Sequence, residues 1–244
     1  MGSPLLVEAG PGSGKTEVVI ERVKFLTKHG GFDPSEILCI TFTVKAAEEM
    51  RNRLEEDGID TSQMTIMNYH AFYHELLEKN KSYTGLGNSK IISRATLLVW
   101  ALENIDSFKF NDEIDISQNS ISLEIEAIID GISTFRDSLL SPEELQQYID
   151  KKKSGTLSYR DADEVIYVKR LENLAEVYKK CEEFKKRQDV MDFDDIIGLT
   201  YLMLTDPTTK HIVEGLKKIY KYVLIDEFQD KNFAQFEIAK TLVT

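Results

Sequence analysis

The sequence predicts an α/β protein with a parallel sheet and an all-helical insertion, and three observations lead to this prediction. A short apolar segment at residues 5–7 runs through a glycine-rich loop into a helix. Strand-like and helix-like segments then alternate up to residue 79 and resume near residue 190, as in a parallel sheet with crossover helices. The segment between these two parts has helical periodicity without comparable strand patterns.

The composition is that of a globular protein, with 244 residues, 42% hydrophobic residues and a formal net charge of −12. This charge argues against a broad, non-specific grip on nucleic acid over the whole surface. Cys39 and Cys181 lie far apart and outside any CxxC pattern, which favours reduced thiols over a zinc site. Because the sequence has no apolar run of membrane-spanning length and no visible signal peptide, we expect a cytoplasmic protein without membrane association.

The glycine-rich loop is followed by Lys15 and Thr16 at the start of a helix. Glycines leave room for backbone N–H groups to turn inward around a phosphate, and the helix N-terminus attracts the same anion. We therefore predict that Lys15 reaches the β- and γ-phosphates of a nucleotide and that the Thr16 hydroxyl ligates Mg²⁺. The predicted nucleotide-binding residues are Ala9, Gly10, Pro11, Gly12, Ser13, Gly14, Lys15 and Thr16. The alternative is a strand-to-helix turn that binds nothing.

The other α/β elements follow from apolar patterns and from capping residues. Residues 37–42 are a continuous apolar run that ends in threonines, which is typical of a buried parallel strand. Thr43 is placed to cap the helix that follows it. The predicted strands are 5–7, 37–42, 64–67 and 222–225, and the predicted helices are 17–28, 44–57, 69–79, 191–204, 207–220 and 232–243.

Apolar periodicity in the middle of the chain predicts helices at 94–104, 123–135, 142–152 and 162–187. They follow a polar, loop-like segment at 80–90. Pro142 directly after Ser141 suits the first turn of a helix. We expect an α/β domain formed by residues 1–80 and 190–244 and an inserted helical subdomain formed by residues 81–189.

Two carboxylates, Asp226 and Glu227, directly follow the predicted strand 222–225. Ligands of open α/β sheets bind beyond the carboxyl ends of the strands, so these side chains should face the phosphate-binding loop. We predict that Asp226 holds Mg²⁺ and that Glu227 is the general base that activates water. The alternative is a pair of acidic residues that merely starts a helix.

Five segments resemble, in order and spacing, the motifs of the UvrD, Rep and PcrA group of superfamily one DNA helicases. They are AGPGSGKT, ITFTVKAAEEMRNRL, MNYHAF, MDFDDII and VLIDEFQDKNFAQFE. The resemblance implies a RecA-like P-loop NTPase domain that carries the helical insertion. It also implies an ATP-dependent DNA helicase or translocase that uses ATP and Mg²⁺, moves 3′ to 5′ on single-stranded DNA, meets single/double-strand junctions and acts in DNA repair.

The family's functional residues carry over to matching positions. The resemblance implies that Lys15, Thr16, Asp226 and Glu227 serve ATP and Mg²⁺, and that Gln229 links the γ-phosphate to the DNA site. The residues that it implies for DNA contact are Thr41, Phe42, Thr43, Asn68, Tyr69 and His70. Phe42 offers a ring on which any base can stack. The alternative for Phe42 and His70 is packing at the end of a strand.

The chain also departs from the family pattern. Glu17 stands where many relatives carry an arginine that packs on adenine, and Lys231 replaces a common threonine. The inserted region is acidic, so its basic clusters at 151–153 and 185–187 would have to supply any duplex contact. The family's adenine motif and its second RecA-like domain with arginine fingers have no counterpart here. We therefore expect a fragment with an incomplete sheet that does not unwind DNA alone.

Two other functions remain open from the sequence. The chain could belong to the motor subunit of a nuclease that processes DNA ends, similar to AddA or RecB, and a nuclease domain elsewhere would distinguish that case. It could also be a P-loop switch that binds nucleotide and a partner protein, which predicts no DNA-stimulated ATP hydrolysis.

Overall fold

The structure, a computed structural model, describes residues 5–8, 10, 12–84, 89–114 and 120–243. The described residues form two compact units, one within 1–86 and 199–244 and the other within 87–198. We call them the α/β unit and the helical unit. The domain boundaries given above stay a prediction.

The helices and strands are named in chain order. The strands are β1 (Ile37–Thr41), β2 (Thr65–Asn68), β3 (Lys90–Ile91), β4 (Val190–Met191) and β5 (Tyr222–Ile225). The helices are α1 (Lys15–Lys28), α2 (Val44–Glu56), α3 (Tyr69–Lys79), α4 (Lys81–Thr84), α5 (Arg94–Glu103), α6 (Ile121–Asp137), α7 (Pro142–Lys153), α8 (Ala162–Gln188), α9 (Phe193–Thr205), α10 (Lys210–Ile219) and α11 (Phe233–Val243).

The α/β unit is built on a parallel sheet with the strand order β2-β1-β5. In this sheet β1 is central, with Cys39 opposite both Ile66 and Leu224. A central strand is covered on both faces, which explains why every residue of β1 is buried. The parallel α/β fold predicted from the sequence is confirmed, and the ends of β1, β2 and β5 lie along one edge of the sheet.

The core of the α/β unit lies between β1 and the first two helices. Ile20 and Val23 of α1 and Met50 of α2 pack against Cys39, all at or near zero exposure. Side chains alternate along a strand, so Ile40 points to the opposite face, where it is buried as well. The two helices thus fix the position of the segments that follow the strands.

The strand predicted at residues 5–7 is wrong in this structure. Leu5, Leu6 and Val7 form no strand and are 86%, 63% and 49% exposed. A strand exists only where its backbone groups pair with a neighbour. In the sheet that the described residues form, β1 already has a partner on each side and 5–7 pair with neither edge strand.

The structure contains three short elements that were not predicted, and one helix begins later than predicted. Residues 80–90 contain the short helix α4, and the two-residue strands β3 and β4 pair in parallel. These strands are too short to give a periodic pattern. Helix α9 begins at Phe193 rather than 191 because the carboxylate of Asp192 accepts a hydrogen bond from Asp195 N at 3.0 Å.

The helical unit packs α6 and α7 on the long helix α8. Its core contains Ile125 and Ile149, which are fully buried, and Val168, which is 1% exposed. A Cβ built on Gly131 would lie 2.5 Å from Leu174 Cδ1, so a glycine lets these helices approach closely. Among the described helices, none is long and apolar enough to cross a membrane.

Buried cations of the helical unit are held by carboxylates. Arg136 Nη1 donates to Asp192 Oδ2 at 2.7 Å and Arg136 Nη2 pairs with Asp195. Lys185 Nζ lies 2.8 Å from Asp195 Oδ1. Burial alone lowers the pKa of Arg136, but the nearby carboxylates of Asp192 and Glu182 raise it above its ordinary value. Charge compensation inside the unit therefore stabilises these cations.

Candidate functional site

The glycine-rich loop makes a tight turn before α1. Gly12 and Gly14 have φ values of 71° and 83°, which side chains with a Cβ rarely adopt. Ser13 donates twice to Gly10 O, from its backbone N at 3.3 Å and from Oγ at 2.6 Å. The turn holds its shape through these contacts and leads directly into the N-terminus of α1.

Lys15 lies at the first position of α1 and its Nζ donates to Gly10 O at 3.3 Å. The ammonium group thus lies against the loop that is predicted to surround the phosphates. Ala9 and Pro11, which also belong to the predicted nucleotide site, lie outside the described residues.

Thr16 and Asp226 are 210 residues apart in the sequence and adjacent in the fold. Thr16 Oγ1 donates to Asp226 Oδ2 at 2.8 Å. Asp226 is 5% exposed, and its backbone N donates to Ile40 O at 2.9 Å, which continues the pairing of β5 with β1. The sheet therefore delivers the carboxylate to the start of α1.

This pair fits the donor set of Mg²⁺, which binds one or two protein oxygens and completes its shell with water and phosphate. In the described part of the chain, no three carboxylates, imidazoles or thiols gather into a metal-binding cluster. The Thr16 hydroxyl and the Asp226 carboxylate suit an ion that also needs nucleotide phosphates as ligands.

Glu227 adopts a left-handed backbone conformation, with φ 49°. Its backbone N donates to Asp226 Oδ1 at 3.0 Å, and Gln229 Nε2 donates to its Oε2. A non-glycine residue in this region is strained and is held there by its surroundings. The turn thus brings the two carboxylates and the Gln229 amide together at the end of β5.

The polar residues at the strand ends that are predicted to contact DNA form hydrogen bonds with their own neighbouring residues. Thr41 is buried and its Oγ1 donates to Thr43 O at 2.9 Å. Thr43 Oγ1 accepts from Ala46 N at 3.0 Å, and Asn68 Oδ1 accepts from Ala71 N at 3.2 Å. Thr43 and Asn68 therefore cap α2 and α3, so their side chains have a structural role here.

The aromatic and histidine residues of the same edge differ in exposure. Phe42 is 51% exposed, Tyr69 is 2% exposed and His70 is half-buried. Tyr69 packs edge-on against Tyr73 with ring centroids 5.8 Å apart. Of these residues, Phe42 offers the most ring surface to a ligand, and Tyr69 belongs to the core.

Comparison with known proteins gives the family. Residues 1–244 match the family described as UvrD/REP helicase N-terminal domain. The chain belongs to the UvrD/REP helicase family. This confirms the resemblance drawn from the sequence motifs.

The chain is similar over nearly its whole length to named proteins of other organisms. The ATP-dependent DNA helicase Rep of Buchnera aphidicola subsp. Baizongia pistaciae is 31% identical over 248 residues, which cover 99% of this chain and 32% of that protein. The ATP-dependent DNA helicase PcrA of Staphylococcus epidermidis is 30% identical over 247 residues. The aligned region covers 98% of this chain and 29% of the PcrA protein. The chain spans about a third of the length of these relatives.

Glu17, the residue that departs from the UvrD/REP pattern at the adenine position, has a partner in the structure. Its carboxylate forms an ion pair with Arg53 of α2. The sequence did not predict this ion pair, because the two residues are 36 positions apart. The ion pair brings a guanidinium group to the first turns of α1, beside the Glu17 carboxylate.

Lys231, the second departure, lies against two aromatic rings of the predicted DNA edge. Its Nζ is 3.7 Å from the Tyr69 ring centroid and 4.7 Å from the Phe42 ring centroid. The sequence did not predict this contact, although the replacement of threonine by lysine after DEFQD marked the position.

The basic clusters of the helical unit are only partly available for DNA contact. Lys152 and Lys185 are 6% and 4% exposed. Lys152 Nζ lies 2.9 Å from Glu164 Oε1, and Lys185 is held by the carboxylates described above. The expectation that the whole of both clusters could reach duplex DNA is therefore wrong for these two lysines. Lys151 and Lys186 are exposed.

Proposed function

We propose that this chain binds ATP and Mg²⁺ as part of an ATP-dependent DNA helicase or translocase that moves 3′ to 5′ on single-stranded DNA. The observation that carries the proposal is the 2.8 Å contact between Thr16 Oγ1 and Asp226 Oδ2. It joins the phosphate-binding loop to the acidic strand end, as ATP hydrolysis requires. The names of the relatives, which are ATP-dependent DNA helicases, support the same activity.

In this proposal the backbone N–H groups of the loop bind the phosphates, and Lys15 turns from Gly10 O to the β- and γ-phosphates. Thr16 and Asp226 hold Mg²⁺, which when bound neutralises charge on the transferring phosphoryl group. Glu227 accepts the proton of the attacking water. Gln229, which donates to the Glu227 carboxylate, orients this base and senses the γ-phosphate.

Single-stranded DNA is proposed to cross the carboxyl edge of the sheet, with the strand next to a duplex junction. Phe42 stacks on a base, and its 51% exposure supports this assignment. Thr43, Asn68 and His70 form the edge on which the strand lies, and the buried side chains of Thr41 and Tyr69 support this edge from below. Because the side chains of Thr43 and Asn68 cap helices, their contribution is to shape the path of the strand.

The test is DNA-stimulated ATP hydrolysis by the full-length protein. Glu227→Gln should retain binding of an ATP analogue and lose about 10²- to 10⁴-fold in turnover, because the general base is gone. The surface substitution Glu183→Gln is the matched control and should leave turnover unchanged. Turnover near the wild-type rate in Glu227→Gln would remove Glu227 from this role. Hydrolysis by the wild type that DNA does not stimulate would favour the nucleotide-switch function instead.

A further inference from the structure

Three adjacent strands bring Lys231, Phe42 and Tyr69 together. Phe42 directly follows β1, and Tyr69 directly follows β2 as the first residue of α3. Lys231 follows the short helical turn Phe228–Asp230 after β5. The three side chains therefore come from the carboxyl ends of β2, β1 and β5, on the edge where ligands of parallel sheets bind.

The Lys231 ammonium group is held by aromatic rings. Its distances of 3.7 Å to the Tyr69 centroid and 4.7 Å to the Phe42 centroid are within the range of cation–π interactions. The Nζ atom is buried and donates no hydrogen bond to any residue that the structure describes. The negative faces of the two rings thus supply the attraction that hydrogen-bond acceptors usually supply.

Lys231 is partly buried, and the two rings that it contacts differ in their exposure to solvent. Burial lowers its pKa to about 8, although the carboxylates of Asp230, Asp226 and Glu227 oppose this effect. Tyr69 is 2% exposed and is fixed in the core, whereas half of Phe42 is open to solvent. An ammonium group that lies against the buried ring of Tyr69 can therefore hold the more exposed ring of Phe42 in place.

We propose that Lys231 is a positioning residue for Phe42, holding one face of its ring so that the other face is presented to a DNA base. This inference rests on the proposed function, which assigns Phe42 to single-stranded DNA. It gives the lysine that replaces the family's common threonine a role in DNA binding. It also connects the segment that carries Glu227 and Gln229 to the base-stacking ring.

The test is a double-mutant cycle on binding of the full-length protein to oligothymidylate that carries a single 2-aminopurine. Lys231→Met removes the charge and keeps the length of the side chain. It should weaken binding about three- to tenfold and reduce the quenching of 2-aminopurine fluorescence that stacking causes. Lys231→Arg keeps a cation over the rings and should restore most of both signals. Lys210→Met, a surface substitution on α10, is the matched control.

The second arm repeats Lys231→Met in the Phe42→Ala background. There it should change binding by less than about twofold, because the ring that it positions is absent. Binding of a fluorescent ATP analogue should be unchanged by Lys231→Met. If Lys231→Met does not fold, Lys231→Thr, with the residue common in resembling helicases, takes its place.

The possible results separate the two proposals. Phe42→Ala without any effect on DNA binding would overturn the assignment of Phe42 and this inference with it. Weaker binding in Phe42→Ala together with wild-type binding in Lys231→Met would overturn this inference alone. Equal effects of Lys231→Met in both backgrounds would show that the lysine acts on DNA without Phe42, and lost ATP-analogue binding would show that it acts through the phosphate site. Either result would contradict the positioning role.

Discussion

The two units bury positive charge in different ways. In the helical unit, Arg136 and Lys185 are enclosed by carboxylates, so each charge is neutralised within the unit. In the α/β unit, Lys231 is enclosed by Tyr69 and Phe42 and donates no hydrogen bond to the described residues. The Asp226 carboxylate near that edge instead accepts a hydrogen bond from Thr16 Oγ1 at the start of α1. Ion pairs neutralise the buried cations of the helical unit, whereas aromatic rings surround Lys231 and no described carboxylate accepts a hydrogen bond from it. Loss of the positive charge should therefore affect the stability of the two units differently.

The largest expected effect is the loss of stability when Arg136, a buried cation neutralised by carboxylates, is replaced. Arg136→Met should lower the free energy of unfolding by about 3–5 kcal/mol, because Asp192 and Asp195 would be left buried without this partner. Urea denaturation measures the change, with the exposed Arg187→Met as the control. A loss below about 1 kcal/mol would mean that the cluster does not stabilise the helical unit.

Next in size is the expected effect on DNA binding at Phe42, which directly follows β1. Phe42→Ala should weaken single-stranded DNA binding by about 1–3 kcal/mol if a base stacks on the ring. Phe25→Ala on α1 is the matched control, since both rings are 51% exposed. Equal affinities of the Phe42 variant and the wild type in a fluorescence-anisotropy titration would return Phe42 to a packing role.

A smaller effect concerns acid stability in the helical unit. The Glu164 carboxylate accepts a hydrogen bond from Arg160 N at 2.6 Å and pairs with Lys152, and these contacts lower its pKa from 4.5 to about 2. A lowered pKa in the folded state adds stability above pH 4.5 that is lost as the pH falls toward 2.

Stability should therefore fall less steeply over that pH range in Glu164→Gln than in the wild type. Thermal unfolding at a series of pH values gives the two slopes, and Glu183→Gln should keep the wild-type slope. Identical slopes for Glu164→Gln and the wild type would contradict the lowered pKa.

The smallest expected effect on stability is at Lys231. Lys231→Met should change the free energy of unfolding by about 1 kcal/mol or less, because no hydrogen-bonded carboxylate loses its partner. Urea denaturation beside Arg136→Met compares the two buried cations directly. A loss as large as that of Arg136→Met would remove the distinction between the units.

The sequence was sufficient for the parallel sheet and for the approach of Asp226 to the start of α1, because the strands and the glycine-rich loop have local patterns and the carboxyl ends of parallel strands share one edge. The run at 37–42 predicted the central strand β1, and the turn after β5 was predicted to face the loop before Lys15. The prediction of a strand at 5–7 was wrong because a strand needs a neighbouring strand to pair with, and a local apolar pattern does not show whether one is present. The position of Lys231 was also beyond prediction, since three strand ends create its surroundings.

The helical unit was predictable in its helices and not in its charges. Apolar periodicity located α6 and α8, but the pairing of Arg136 with Asp192 joins residues 56 positions apart. Lysines at 151–153 look alike in the sequence, and only the packing of α7 on α8 buries Lys152 and leaves Lys151 exposed. Exposure of a charged side chain is thus decided by tertiary contacts.

The most informative measurement is a titration of the protein with a fluorescent ATP analogue and Mg²⁺, with Lys15→Ala beside the wild type. If the loop before α1 binds the phosphates, binding is saturable and is lost in Lys15→Ala, while circular dichroism shows both proteins folded. Equal affinity in the folded variant would contradict nucleotide binding by the loop before α1, which Thr16 joins to Asp226.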